Sequence, residues 1–243
     1  MQTAESQSVG AACWSCGAPF TGAFCAACGK IQPPSEALDY FTVFSLPRKL
    51  NIDLSALERS FYRLSRKLHP DVYAQASTQE QQWSLDHTSL LNDAYRTLKN
   101  PVARTEYLLK LEGIVLEEGK REDGKAKESR VPADLLEEVF ELNMQLEEMR
   151  MTRKMGEDDP QLRADLEKAK VEFDSQLAAA DSSLQGLWTK WDDLESSQSE
   201  SAEASKIRKD EQSATIKDDM VALLDRRRYL RNLVRDVNEA LEI

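Results

Sequence analysis

The stretch from Leu54 to Leu68 constrains this chain more tightly than any other. Leu54, Leu57, Phe61, Leu64 and Leu68 recur at steps of three and four, the period of a single helix face. At about 100° per residue they fall within about 80° of one another, and Arg59, Arg63, Arg66 and Lys67 fall on the opposite side. One helix therefore buries an apolar stripe and turns a row of cations to solvent. Asp53 can cap its start, and Ser55 with Glu58 is an alternative capping box. Pro70 stops it, because the residue before a proline is pushed out of the helical region. The helix thus ends in a rigid loop presenting an imidazole and a carboxylate, His69 and Asp71.

Helical patterning continues on both sides. A brief helix is expected at 39–44. Thr78 to Lys99 carries Trp83, His87, Leu90, Leu91, Ala94, Tyr95 and Leu98 at helical spacing. After so short a loop it must run antiparallel to the basic helix. Asn100 and Pro101 cap and open a further helix that Gly113 ends. Residues 117–130 hold no apolar side chain except Ala126, and they read as a solvated connection. From Pro132 three long amphipathic segments run to the end of the chain, to about Met155, from Pro160 to about Glu195, and from Ile207 to Leu241. Short links between long helices make an antiparallel bundle. The expected fold class is all-α: a cysteine module at 13–30, a helical hairpin domain at 38–113 and a three-helix bundle at 132–243. A disordered tail at 1–12 and a flexible connection at 114–131 complete the plan.

Charge narrows the function. The net charge is −11, which argues against general nucleic-acid affinity. Residues 39–112 carry +1 and the rest −12, so the hairpin is basic only relative to an acidic body. Arg226, Arg227, Arg228, Arg231 and Arg235 have acidic neighbours and read as helix-side ion pairs. No apolar run approaches the roughly 20 residues that span a bilayer. Residues 1–12 lack Lys and Arg, so they show neither a secretory nor a transit pattern. The expectation is a cytoplasmic protein, bacterial in origin.

All four cysteines lie near the N-terminus, as Cys13-x-x-Cys16-Gly17 and Cys25-x-x-Cys28-Gly29. A two-residue spacer lets both sulfurs reach one ion, and the glycine lets the chain turn tightly behind them. Zinc suits a closed four-thiolate site; iron in a rubredoxin-like site and a pair of disulfides are the alternatives. So short a module has too little core to fold without metal, with Trp14, Phe20 and Phe24 expected to form what core exists. Ile31 to Glu36, with Pro33-Pro34, reads as a stiff linker.

Residues 39–113 resemble a J-domain, most closely that of the HscB/Jac family of iron–sulfur co-chaperones. The resemblance rests on Asp39-Tyr40-Phe41-Thr42-Val43-Phe44, Leu46-Pro47, Leu68-His69-Pro70-Asp71, Leu91 to Pro101 and Arg104 to Leu109. It implies a co-chaperone that stimulates ATP hydrolysis by a heat-shock-70-type chaperone of the HscA/DnaK kind. His69, Pro70 and Asp71 would engage the chaperone, steered by Arg59, Arg63, Arg66 and Lys67. The resemblance also implies an IscU-type scaffold as client, held by Leu136, Phe140 and Tyr229 on the bundle. Glu137 departs from the family pattern there, and Leu136 with Phe140, four apart, could equally be core. A general J-protein with another client is the alternative, but the Gly/Phe-rich linker usual for that class is missing. No phosphate loop or nucleophile set is present, so the chain does not read as an enzyme. A zinc-ribbon nucleic-acid module finds only Lys30 as a cation beside the cysteines.

Overall fold

The computed structural model describes residues 11–35, 38–114, 116, 133–196 and 203–242. The expected tail, apart from residues 11 and 12, lies outside these residues. So do nearly all of the expected connection and most of the polar stretch between the last two helices. The chain divides into two compact units, 1–108 and 109–243. Among the described residues no helix is long and apolar enough to cross a membrane.

Helices α1 (Tyr40–Val43), α2 (Leu54–Leu68), α3 (Thr78–Lys99) and α4 (Pro101–Leu111) match the sequence pattern closely. Capping explains the match. The Asp53 carboxylate accepts from the amides of Ser55 and Ala56 at 2.9 and 3.0 Å, so the simple cap forms at the start of α2. Ser77 and Glu80 form a reciprocal capping box on α3. Asn100 accepts from the Val102 and Ala103 amides ahead of Pro101. Leu57 and Leu68 are buried from α2, and Leu91, Ala94 and Leu98 from α3. Leu54 departs from the expected stripe. It is 47% exposed, because it occupies the first turn of the helix, where the apolar face has just begun.

Arg104 of α4 is buried and tied to backbone ahead of α2 and near the end of α3. Its Nε donates to the Leu50 carbonyl at 2.8 Å, and Nη1 donates to the Leu98 carbonyl at 2.5 Å. A buried guanidinium is tolerated because its donors meet carbonyl oxygens.

The second unit contains α5 (Leu136–Lys154), α6 (Pro160–Ser196) and α7 (Glu203–Glu242). Leu142, Leu166, Phe173, Leu230 and Val237 are among its buried residues. Arg226 pairs with Asp134, and Arg227 with Asp181 at 2.5 Å. Arg228 meets Asp225 and Arg235 meets Asp236.

Candidate functional site

The cysteine module is two copies of one turn. In the first, the Gly17 amide donates to the Cys13 carbonyl at 2.9 Å and the Cys13 amide donates to the Ala18 carbonyl at 2.8 Å. In the second, Gly29 donates to Cys25 at 2.8 Å, and Cys25 to Lys30 at 3.0 Å. Gly17 and Gly29 both stand at positive φ, 72° and 71°, where a side chain would be strained. Single bridges, Ala12 with Pro19 and Phe24 with Ile31, close each turn. Ala12 thus belongs to the module rather than to the expected tail.

These turns bring the four sulfurs within 4.8 Å of one another. Cys13 Sγ lies 3.6 Å from Cys28 Sγ, and Cys16 Sγ lies 3.7 Å from Cys25 Sγ. A tetrahedron with metal–sulfur bonds of about 2.3 Å has edges of about 3.8 Å. The donor set therefore fits one ion, and the separations are far beyond the roughly 2.05 Å of a disulfide. All four thiols are free. Burial opposes ionisation of Cys13, yet the Cys16 and Ser15 amides and the neighbouring thiols outweigh it and bring its pKa down to about 6. Cys16, despite the Ala18 amide, is pushed up to about 12 by Cys28, by burial and by its other thiol neighbours. Crowded thiols that resist a second negative charge are the condition that a bound dication relieves.

Packing around the sulfurs is sparse. Phe20 and Ala18 join Cys13 and Cys25, as expected of Phe20. Phe24 is only partly buried. Trp14 does not enter this core. It is 49% exposed, its indole donates to the Ile31 carbonyl at 2.7 Å, and its ring lies 5.9 Å from that of Trp83 on α3. The expected linker after Lys30 begins with two buried residues, Ile31 and Gln32. Gln32 donates to Cys13 Sγ at 3.3 Å and to the Lys30 carbonyl at 2.9 Å.

The His-Pro-Asp segment is more ordered than a loop. Pro70–Tyr73 form one turn of 3₁₀ helix, with His69 at its N-cap. The His69 Nδ1 accepts from the Asp71 amide at 3.3 Å and lies 3.5 Å from the Asp71 carboxylate. Proline at the first position supplies the φ the turn needs. Side chains of α3 grip the flanking backbone. Ser84 and Thr88 donate to the Leu68 carbonyl at 2.6 and 3.1 Å, and Gln81 donates to the carbonyls of Ala74 and Ala76. The Asp71 side chain is left 91% exposed. Arg59, Arg63, Arg66 and Lys67 are all exposed on α2.

Leu135, just ahead of α5, is 1% exposed, while Leu136 and Phe140 on α5 are 55% and 68% exposed. Spacing alone allows Leu136 and Phe140 to be core; they are on the surface. Tyr229 is partly buried and packs on the bundle core.

A basic helix, an outward His-Pro-Asp turn and an antiparallel helix that grips it define a J-domain protein. The chain is 34% identical over 166 residues to the mouse iron–sulfur cluster co-chaperone HscB, covering 66% of this chain and 68% of that one. The human protein of that name is 34% identical over 150 residues, covering 60% and 61%. An Arabidopsis thaliana homologue is 33% identical over 139 residues, covering 57% and 52%. The crystal structure of human HscB matches with a TM-score of 0.63 at 23% identity over 94% of this chain and 98% of that one. HscB from Vibrio cholerae matches at 0.53 and 23%, over 84% and 98%. No family model matches. The chain belongs to the HscB family of iron–sulfur cluster co-chaperones. That family spans bacteria, plants and mammals, so membership does not assign the bacterial cytoplasm expected from the sequence.

Gln32, Gln81, Ser84 and Thr88 are site residues that sequence reasoning misses. Ser77-x-x-Glu80 is legible as a capping box. Nothing local marks Gln32 as a partner of residues on α3.

Proposed function

We propose that the chain stimulates ATP hydrolysis by a heat-shock-70-type chaperone and delivers an IscU-type scaffold to it during iron–sulfur cluster assembly. The observation that carries this is the outward Asp71 on a turn whose backbone is already gripped by α3. Asp71 offers a carboxylate to a chaperone arginine, and Pro70 keeps the ordering cost of docking low. Arg59, Arg63, Arg66 and Lys67 form the cationic face that orients the encounter. Chemistry stays in the chaperone, and the chain acts by selecting the conformation that hydrolyses ATP.

On the bundle, Leu136, Phe140 and Tyr229 form the scaffold-binding patch. Two large apolar side chains lie open to water there, a cost that contact with a partner removes. Cys13, Cys16, Cys25 and Cys28 hold one zinc ion as a structural site, with no ligand position left open.

Steady-state ATPase measurements with Asp71→Asn test the first half: stimulation is expected to vanish while helicity and scaffold binding persist. Calorimetric titration with the scaffold tests the second. Micromolar binding is expected, and it should be lost in Leu136→Ala/Phe140→Ala/Tyr229→Ala. Full stimulation by Asp71→Asn would sink the chaperone assignment.

A further inference from the structure

The cysteine module is not tethered loosely to the hairpin domain; it is bonded to α3. The His87 imidazole, buried, donates from Nε2 to the Gln32 carbonyl at 2.9 Å. That nitrogen carries the proton, because a carbonyl can only accept. On its other side Gln32 donates its amide to Cys13 Sγ. One glutamine therefore joins a sulfur of the metal site to the middle of α3. Two further contacts run alongside. Trp14 lies against Trp83, and Lys30 pairs at 3.5 Å with Glu80, the capping-box residue of α3.

The same helix grips the His-Pro-Asp turn. At about 100° per residue, Glu80, Trp83 and His87 fall within about 60° of one another on α3, and Gln81, Ser84 and Thr88 fill the adjoining 60° or so. The first group meets the cysteine module. The second holds the carbonyls of Leu68, Ala74 and Ala76 on either side of the turn. Neighbouring side chains on a packed helix cannot shift independently, because interiors are close-packed.

We propose that the cysteine module braces the His69-Pro70-Asp71 turn, with Gln32, Trp83 and His87 as positioning residues that carry metal occupancy to α3. Since Phe20 and Ala18 are the apolar residues packed with Cys13 and Cys25, loss of metal dissolves the module. Dissolution leaves His87 without its acceptor, Trp83 uncovered and Glu80 without its lysine. The face of α3 that holds the turn then loses its support. This inference rests on the reading of the turn as the chaperone contact, and it gives the module a role that four closed thiolates do not themselves suggest.

Amide exchange followed by NMR in the full-length protein, zinc-loaded and after chelation, tests the brace without any chaperone. The turn amides of Val72 and Ala76, which donate to the His69 and Tyr73 carbonyls, should exchange about tenfold faster after chelation. His87→Phe keeps the volume but removes the donor. In the zinc-loaded protein it should retain its metal and quicken the same amides about threefold. His87→Gln, which can still donate to the Gln32 carbonyl, should restore them. In the ATPase assay, chelation and His87→Phe should raise the concentration for half-maximal stimulation severalfold and leave the maximum unchanged. Exchange at Val72 and Ala76 that ignores both chelation and His87→Phe would overturn the brace. A turn that loosens as expected in a protein that never stimulates the ATPase would support the brace and refute the proposed function instead.

Discussion

Among the described residues, the apolar side chains clustered with Cys13 and Cys25 are Phe20 and Ala18, whereas α5, α6 and α7 close over Leu142, Leu166, Phe173, Leu230 and Val237. The first region rests on short backbone turns around four thiols that could hold one metal ion, the second on apolar area removed from water. A small module can be stable only if something other than burial supplies the free energy. The bundle needs no such help, and its core is large enough to carry the cost of leaving Leu136 and Phe140 in water. The two regions should therefore fail under different insults.

Metal removal gives the largest contrast. Chelation, or Cys13→Ser with Cys25→Ser, should abolish the fold of residues 11–32 outright while the bundle unfolds at its usual denaturant midpoint. Circular dichroism of α-helix beside cysteine accessibility separates the two. A bundle midpoint that falls with the metal would erase the distinction. Next in size, Leu166→Ala should cost the bundle about 2–5 kcal/mol in urea unfolding and leave metal content unchanged, since Leu166 is fully buried.

A smaller effect is expected at the start of the hairpin domain. Burial of Asp39 would raise its pKa, but the Thr42 amide, the Arg48 guanidinium and the Thr42 hydroxyl outweigh burial and hold the carboxyl below its usual range. A carboxyl lowered on folding adds stability above its unfolded value, and that stability drains away as pH falls through the folded value. Asp39→Asn can still cap α1 but loses the charge that Arg48 meets, so it should cost up to about 1 kcal/mol at neutral pH. The gap from wild type should close on acidification below the ordinary aspartate value of about 3.9. Thermal melts at a series of pH values check both the size and the sign. Smallest of all, Phe140→Ser should change bundle stability by no more than about 0.5 kcal/mol, because the ring is already in water. The same substitution should weaken scaffold binding at least tenfold by calorimetry.

Much of this architecture is legible along the chain because it is written locally. Asp53, Ser77, Asn100 and Pro101 announce helix starts, and the paired Cys-x-x-Cys-Gly sequences announce the thiolate cluster. Periodicity cannot say what a face meets. Leu54 shares the stripe of Leu57 yet lies outside the core, and Leu135 and Leu136 differ by one residue and by more than half the range of exposure. Trp14 reads as core because it is large and flanked by cysteines; its partner, Trp83, is 69 positions on. The links from Gln32 to His87 and from Ser84 to Leu68 pair residues far apart in sequence, with no repeat to betray them. The 3₁₀ turn at Pro70 is legible as rigidity, but not as a helix with His69 for a cap.

The grip on the Leu68, Ala74 and Ala76 carbonyls, together with the outward Asp71, has a kinetic consequence. A turn whose backbone is already fastened and whose charge already points outward has nothing to open before it meets a partner. Stopped-flow traces of the encounter should be single exponentials. Their observed rates should climb linearly with partner concentration, without the plateau that marks a slow conformational gate.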